Sequence, residues 1–165
     1  MKKLILILAC LVILPVAAFA ETAIGGAMFY KSPVLLGQPV DATNLNVNQF
    51  AFGADGRIKL GWLQGEGLLL YSAGDVNSLI LYLDAGVALD VSILRLSLGV
   101  GPNLSNTFGQ SPAVEAGLNA KVGADVMIGP ISVGLSYIMA MNLDSGLAVK
   151  TSSGLLGLQV LYWMK

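Results

Sequence analysis

Seven charged side chains are the residues of this sequence best placed to do chemistry: Lys59, Glu66, Asp84, Arg95, Glu115, Lys121 and Asp125. What they can do is bounded by what the chain lacks. There is no histidine, so neither a Ser-His-acid arrangement nor an imidazole general base can be built. The single cysteine, Cys10, sits in an apolar leader, which leaves the remaining chain without a thiol nucleophile. Glu115 and Asp125 share a strand face, but their separation of ten residues spans about 33 Å at the strand rise, too far for an acid–base pair. Asp41 with Asn44, Asn46 and Asn48 lacks the acids of a calcium loop, and softer metals lose both preferred ligands. Gly65-Glu66-Gly67 and Gly99-Val100-Gly101 are fragments of glycine motifs without a phosphate cradle. No cofactor, no metal and no enzymatic activity are expected. The remaining chemistry is electrostatic, with three cations and four carboxylates able to pair.

The elements that position these charges follow from composition and periodicity. The chain has 165 residues, enough for one domain, and is 55% hydrophobic with only 12% charged residues. Ordinary soluble domains carry about 25% charged residues. With a mean hydropathy of +0.75, disorder is excluded and a water-facing coat is hard to assemble. The net charge of −1 comes without a basic cluster, which excludes a nucleic-acid footprint.

Met1-Lys2-Lys3, an apolar run from Leu4 to Ala18, and Ala18-Phe19-Ala20 make the charged start, apolar stretch and small-x-small site of a secretory signal peptide. The expected organisation is a signal peptide over 1–20 and one domain over 21–165. Removal of Lys2 and Lys3 leaves seven basic residues against ten acids, a net charge of −3, and all 20 glycines fall beyond the cleavage site.

Between residues 113 and 127, Val114, Ala116, Leu118, Ala120, Val122, Ala124 and Val126 alternate with Glu115, Gly117, Asn119, Lys121, Gly123 and Asp125. A period of two over that length predicts a strand with one apolar and one polar face. The pattern recurs over 78–89, 93–101 and 131–141. The second face is mostly glycine, alanine and serine with single charges, too thin for a solvent coat. Small and polar inside, branched aliphatic outside, is the arrangement of a transmembrane barrel. A soluble sandwich shows the same alternation with its apolar face inward, and a soluble periplasmic lipocalin-like binder is a further alternative. A membrane helix over 126–143 is opposed by Gly129-Pro130, Gly134 and the period of two on both sides.

Connections expected at 32–46, Asp55-Gly56, 72–77, 90–92, 102–112, 128–130 and 142–152 alternate long and short and divide the domain into eight strands. All five prolines beyond the signal fall between the periodic runs. Residues 57–71 break the alternation, and a β-bulge near Gly61–Leu63 is needed to turn Gln64 and Glu66 inward. In this register the seven charges point into the lumen. Arg95 is expected to pair with Asp84 across the hairpin.

The chain thus resembles the small outer-membrane β-barrel proteins of diderm bacteria, the OmpA/OmpX/OmpW-like superfamily. The resemblance covers 21–165 and rests on Ala18-Phe19-Ala20, strands such as 113–127, the turn Gly129-Pro130-Ile131 and a final strand from Gly154 to Trp163. It implies an all-β, eight-stranded antiparallel up-and-down transmembrane barrel in the outer membrane. Tyr30 and Tyr71 would lie at one rim, and Tyr162 and Trp163 at the other. Its implied partners are outer-membrane lipids, with the barrel-insertion machinery and periplasmic chaperones during biogenesis. Its implied role is structural or surface-interacting, or else a narrow porin-like conduit or binding barrel for a small apolar compound fed by Val34-Leu35-Leu36 and Val40.

Overall fold

The computed structural model describes residues 20–31, 46–73, 77–109, 113–143 and 149–164. The expected signal segment before Ala20, and Val34-Leu35-Leu36 and Val40 of the first connection, lie outside the described residues. Eight strands follow in chain order: β1 (Glu21–Lys31), β2 (Phe50–Leu60), β3 (Leu63–Ala73), β4 (Asn77–Val91), β5 (Leu94–Thr107), β6 (Ala113–Ile128), β7 (Ile131–Leu143) and β8 (Val149–Met164). Each pairs antiparallel with its neighbours in sequence, and β1 pairs with β8 to close an up-and-down barrel. Closure leaves no edge strand with unpaired backbone groups.

The sequence alternation becomes the two faces of the wall. Along β6, Val114, Leu118 and Val122 are exposed outward, while Asn119, Lys121 and Asp125 are buried inward. Among the described strand residues from Thr22 to Met141, no outward-facing position carries a charged side chain. The exterior instead presents Ile24, Ile58, Leu83, Leu98, Val100 and Leu135. Such a surface is stable against hydrocarbon and costly against water. Eleven residues, the length of β1, β2 and β3, meet the roughly 9–11 that a tilted strand needs to cross a bilayer.

The turns correct the sequence reading. Asp55-Gly56, the strongest local hairpin signal, lies in the middle of β2, and the chain reverses instead at Gly61–Trp62. Gly61 has φ of +59° there, a conformation that glycine adopts without steric penalty. The expected bulge at Gly61–Leu63 is therefore this turn. Reversal after Leu60 resets which residues face inward, and Gln64 and Glu66 enter the lumen without any bulge. Matching two-residue turns close β4–β5 and β6–β7 at the same end of the barrel.

The connections at the other end are shorter than expected. Only 74–76, 108–112 and 144–148 separate the strands where 72–77, 102–112 and 142–152 were assigned. Pro102, expected in a loop, lies within β5 with its ring outward. Its missing N–H has a visible effect. The β4–β5 ladder pairs Tyr82 with Asn103 and Ala85 with Val100, but makes no pair at the two positions between.

Several inward glycines sit where the neighbouring backbone leaves no room for a side chain. A Cβ at Gly53 would run into the backbone of Leu69, one at Gly86 into that of Leu98, and one at Gly101 into that of Leu83. Such close backbone approach is a use of glycine within strands.

Candidate functional site in the barrel lumen

Facing inward, the strands stack three layers of different chemistry. Nearest the end with the longer connections is an apolar plug built from Phe29, Leu68, Leu70, Tyr82, Ile138 and Leu155, with smaller residues filling between them. Phe29 occupies the space that a side chain at position 157 would need, so Gly157 and Phe29 fit as a pair.

Below it lies a buried polar layer centred on Arg57. The Arg57 guanidinium donates to Asp55 on its own strand at 2.9 Å, to Asp125 of β6 at 2.9 Å and to Gln159 of β8 at 2.8 Å. Gln159 in turn donates to Asp55 at 2.8 Å. Glu66, the cross-strand neighbour of Arg57, approaches its Nε at 3.5 Å and accepts from the Lys121 ammonium. Asn119 donates to Asp84. Lys121 also lies 5.9 Å from the Phe29 ring centroid, tying this layer to the plug. The planar fork of arginine suits the centre because it serves several acceptors at once without losing its charge. Pairing is obligatory here, since an isolated ion in this interior would cost several kcal/mol.

The third layer sits at the end with the tight turns. Arg95 pairs with Asp90, directly opposite it across the β4–β5 hairpin, and with Glu21 of β1 at 3.0 Å. Lys59 reaches the same Asp90 at 2.8 Å. The Arg95 guanidinium lies 4.0 Å from the centroid of Trp163, whose indole N–H donates to Ser132 at 2.9 Å. Trp163 is therefore a lumen residue and not part of a rim girdle, while Tyr162 and Trp62 are the exposed aromatics at that end.

Set against the seven residues singled out in the sequence, Glu66, Asp84, Lys121 and Asp125 lie in the middle layer, and Lys59 and Arg95 lie in the third. Glu115 does not join them: it is exposed near the opposite end of β6. The expected Arg95–Asp84 pair does not form, because Asp90 stands opposite Arg95 while Asp84 is six residues further along β4. That offset is about 20 Å of strand. Asp55 and Arg57, the centre of the buried layer, were missed because the supposed turn at 55–56 removed them from the strand. The signal that finds them is parity: Asp55, Arg57 and Lys59 share one face of an uninterrupted β2.

A cavity of about 10 Å³ lies between Gln64, Glu66, Asp84, Ser97 and Lys121, room for a single water-sized occupant.

No family model matches the chain, and no curated protein sequence does. Solved structures do match in shape. The N-terminal β-barrel domain of Pseudomonas aeruginosa OprF superposes with a TM-score of 0.65 at 12% identity, over 88% of this chain and 98% of that one. The outer membrane protein OprG of Pseudomonas aeruginosa gives 0.59 at 10% identity, covering 88% and 96%. The Yersinia pestis outer membrane protein Ail gives 0.52 at 15% identity, covering 88% and 99%. The chain has the fold of the small eight-stranded outer-membrane β-barrels.

Proposed function

We propose that this protein is a non-enzymatic outer-membrane barrel of a diderm bacterium, with a structural or surface-interacting role and a lumen closed to solutes. The observation that carries this reading is the filled interior, in which an apolar plug, a buried ion-pair layer and a tryptophan-backed arginine cluster occupy successive levels. An eight-stranded ring is just wide enough to be filled by side chains in this way. The uncharged apolar exterior supports the membrane setting, and the shared fold supports the outer membrane in particular. In this reading residues 1–20 are a cleaved signal peptide, the tight turns face the periplasm, and insertion requires the barrel-assembly machinery. The charged lumen residues are structural, holding the ring closed.

Planar-bilayer recording on refolded protein tests the reading. Closed bilayers, or rare brief openings, are expected, and a steady large conductance would overturn it. A second reading, a conduit or binding barrel for small apolar compounds, draws on the apolar lining of the plug layer. It requires Phe29 and Tyr82 to move aside, and protection of the buried tryptophan fluorescence by apolar compounds would favour it.

A further inference from the structure

The charged interior is unbalanced. Arg95 of the layer below stands opposite Asp125, so the count is taken over both charged layers: Glu21, Asp55, Glu66, Asp84, Asp90 and Asp125 face Arg57, Lys59, Arg95 and Lys121, a formal surplus of two negative charges among the described lumen groups. Part of the excess is concentrated at one place, because Glu66 and Asp84 stand directly opposite each other on β3 and β4. Like charges in that cross-strand relation repel.

The same place holds acceptors without donors. Gln64 is 9% exposed and Asp84 7%, and both line the cavity of about 10 Å³. Gln64 Oε1 and Asp84 Oδ2 are fully shielded from solvent, and neither has a hydrogen-bond partner among the described residues. Asn119 already serves Asp84 Oδ1, and Lys121 already serves Glu66. Unpaired buried acceptors are costly, and natural interiors satisfy them. A water would supply hydrogen bonds but would leave the charge surplus unchanged. An oxygen-lined space beside an unbalanced carboxylate suits a hard cation, and the Lys121 ammonium on the cavity wall limits the occupant to a single positive charge.

We propose that this cavity binds one monovalent hard cation of about the size of sodium, held by Gln64 Oε1 and Asp84 Oδ2 with Ser97 beside it. Its role is to join β3 to β4 at the point where two carboxylates would otherwise push them apart. Because Pro102 leaves the neighbouring β4–β5 ladder unpaired at Asp84, the ion acts where backbone bonding is weakest.

The test is urea unfolding of the refolded barrel in detergent, in sodium chloride and in choline chloride at equal ionic strength. At sodium about ten times its dissociation constant, the midpoint is expected to lie about 0.5 M urea higher in sodium. Asp84→Asn and, separately, Gln64→Leu are expected to remove most of that difference, while Glu115→Gln preserves it. Crystals grown in sodium chloride are expected to show density in the cavity at ion–oxygen distance, shorter than a hydrogen bond, from Asp84 Oδ2. Equal midpoints in the two salts would overturn the proposal, as would a sodium effect that survives both cavity substitutions. Density there at hydrogen-bond distances would mean a bound water only and would also overturn it.

Discussion

The lumen contains two arginines, each engaging more than one carboxylate, and they illustrate how burial changes the meaning of the same chemistry. Arg57 lies among side chains that are themselves sealed from solvent, and its partners come from its own strand, β3, β6 and β8. Arg95 is buried as well, but its partners are not: the side chains of Asp90 and Glu21 are 41% and 31% exposed. Removing Arg57 strands carboxylates that have no access to water. Removing Arg95 lets its partners hydrate where they stand. An ion pair stabilises in proportion to what its loss leaves behind.

The largest expected effect is therefore at the centre. Arg57→Leu should lower the unfolding free energy by about 3–5 kcal/mol, the usual cost of breaking a buried pair by removing one partner. Urea unfolding followed by tryptophan fluorescence measures it, and a midpoint unchanged from wild type would erase the distinction between the layers. Gln159→Leu removes one acceptor from Arg57 and one donor to Asp55, for an expected loss of about 1–3 kcal/mol. Arg95→Leu should cost only about 1 kcal/mol, combining a part-exposed ion pair with the cation–π contact over Trp163. Salt sharpens the contrast, since raising it should shrink the Arg95 effect and leave the Arg57 effect nearly intact. At the small end, Glu115→Gln, at an exposed position, should stay within about 0.5 kcal/mol of wild type.

How much of this was legible in the sequence depended on whether a residue's role was local or assembled. The strand count and the inward side of β4 to β7 could be read, because a period of two is a property of a strand by itself. The β2–β3 turn could not. Asp55-Gly56 has the stronger hairpin propensity, but a reversal there would leave β2 too short to span the wall and would expel Asp55 and Arg57 from the lumen. Tertiary pairing overrides the local preference, and Gly61-Trp62 takes the turn. Pro102 misled for the same reason. Proline usually marks a boundary, yet β5 runs through it at the cost of two missing ladder pairs. Strand parity showed that Arg95 faced inward. Its partner required the β4–β5 register, which only the turn at 92–93 fixes.

The bonds that Arg57 makes also carry information about time. Its strand is the second to be synthesised, while the groups that satisfy it arrive on the sixth and the eighth. Until then the guanidinium has Asp55, two residues away, and Glu66 of β3 at 3.5 Å, and Asp55 itself waits for Gln159. In a ring of eight, β2 and β6 stand across the diameter, so the Arg57–Asp125 bond is a spoke where the backbone ladders are the rim. A half-assembled wall has no spoke, and its Glu66 and Asp84 still lack Lys121 and Asn119 of β6, a reason for it to remain beside water and not enter lipid alone. Placement of the last strand completes the rim and the hub together.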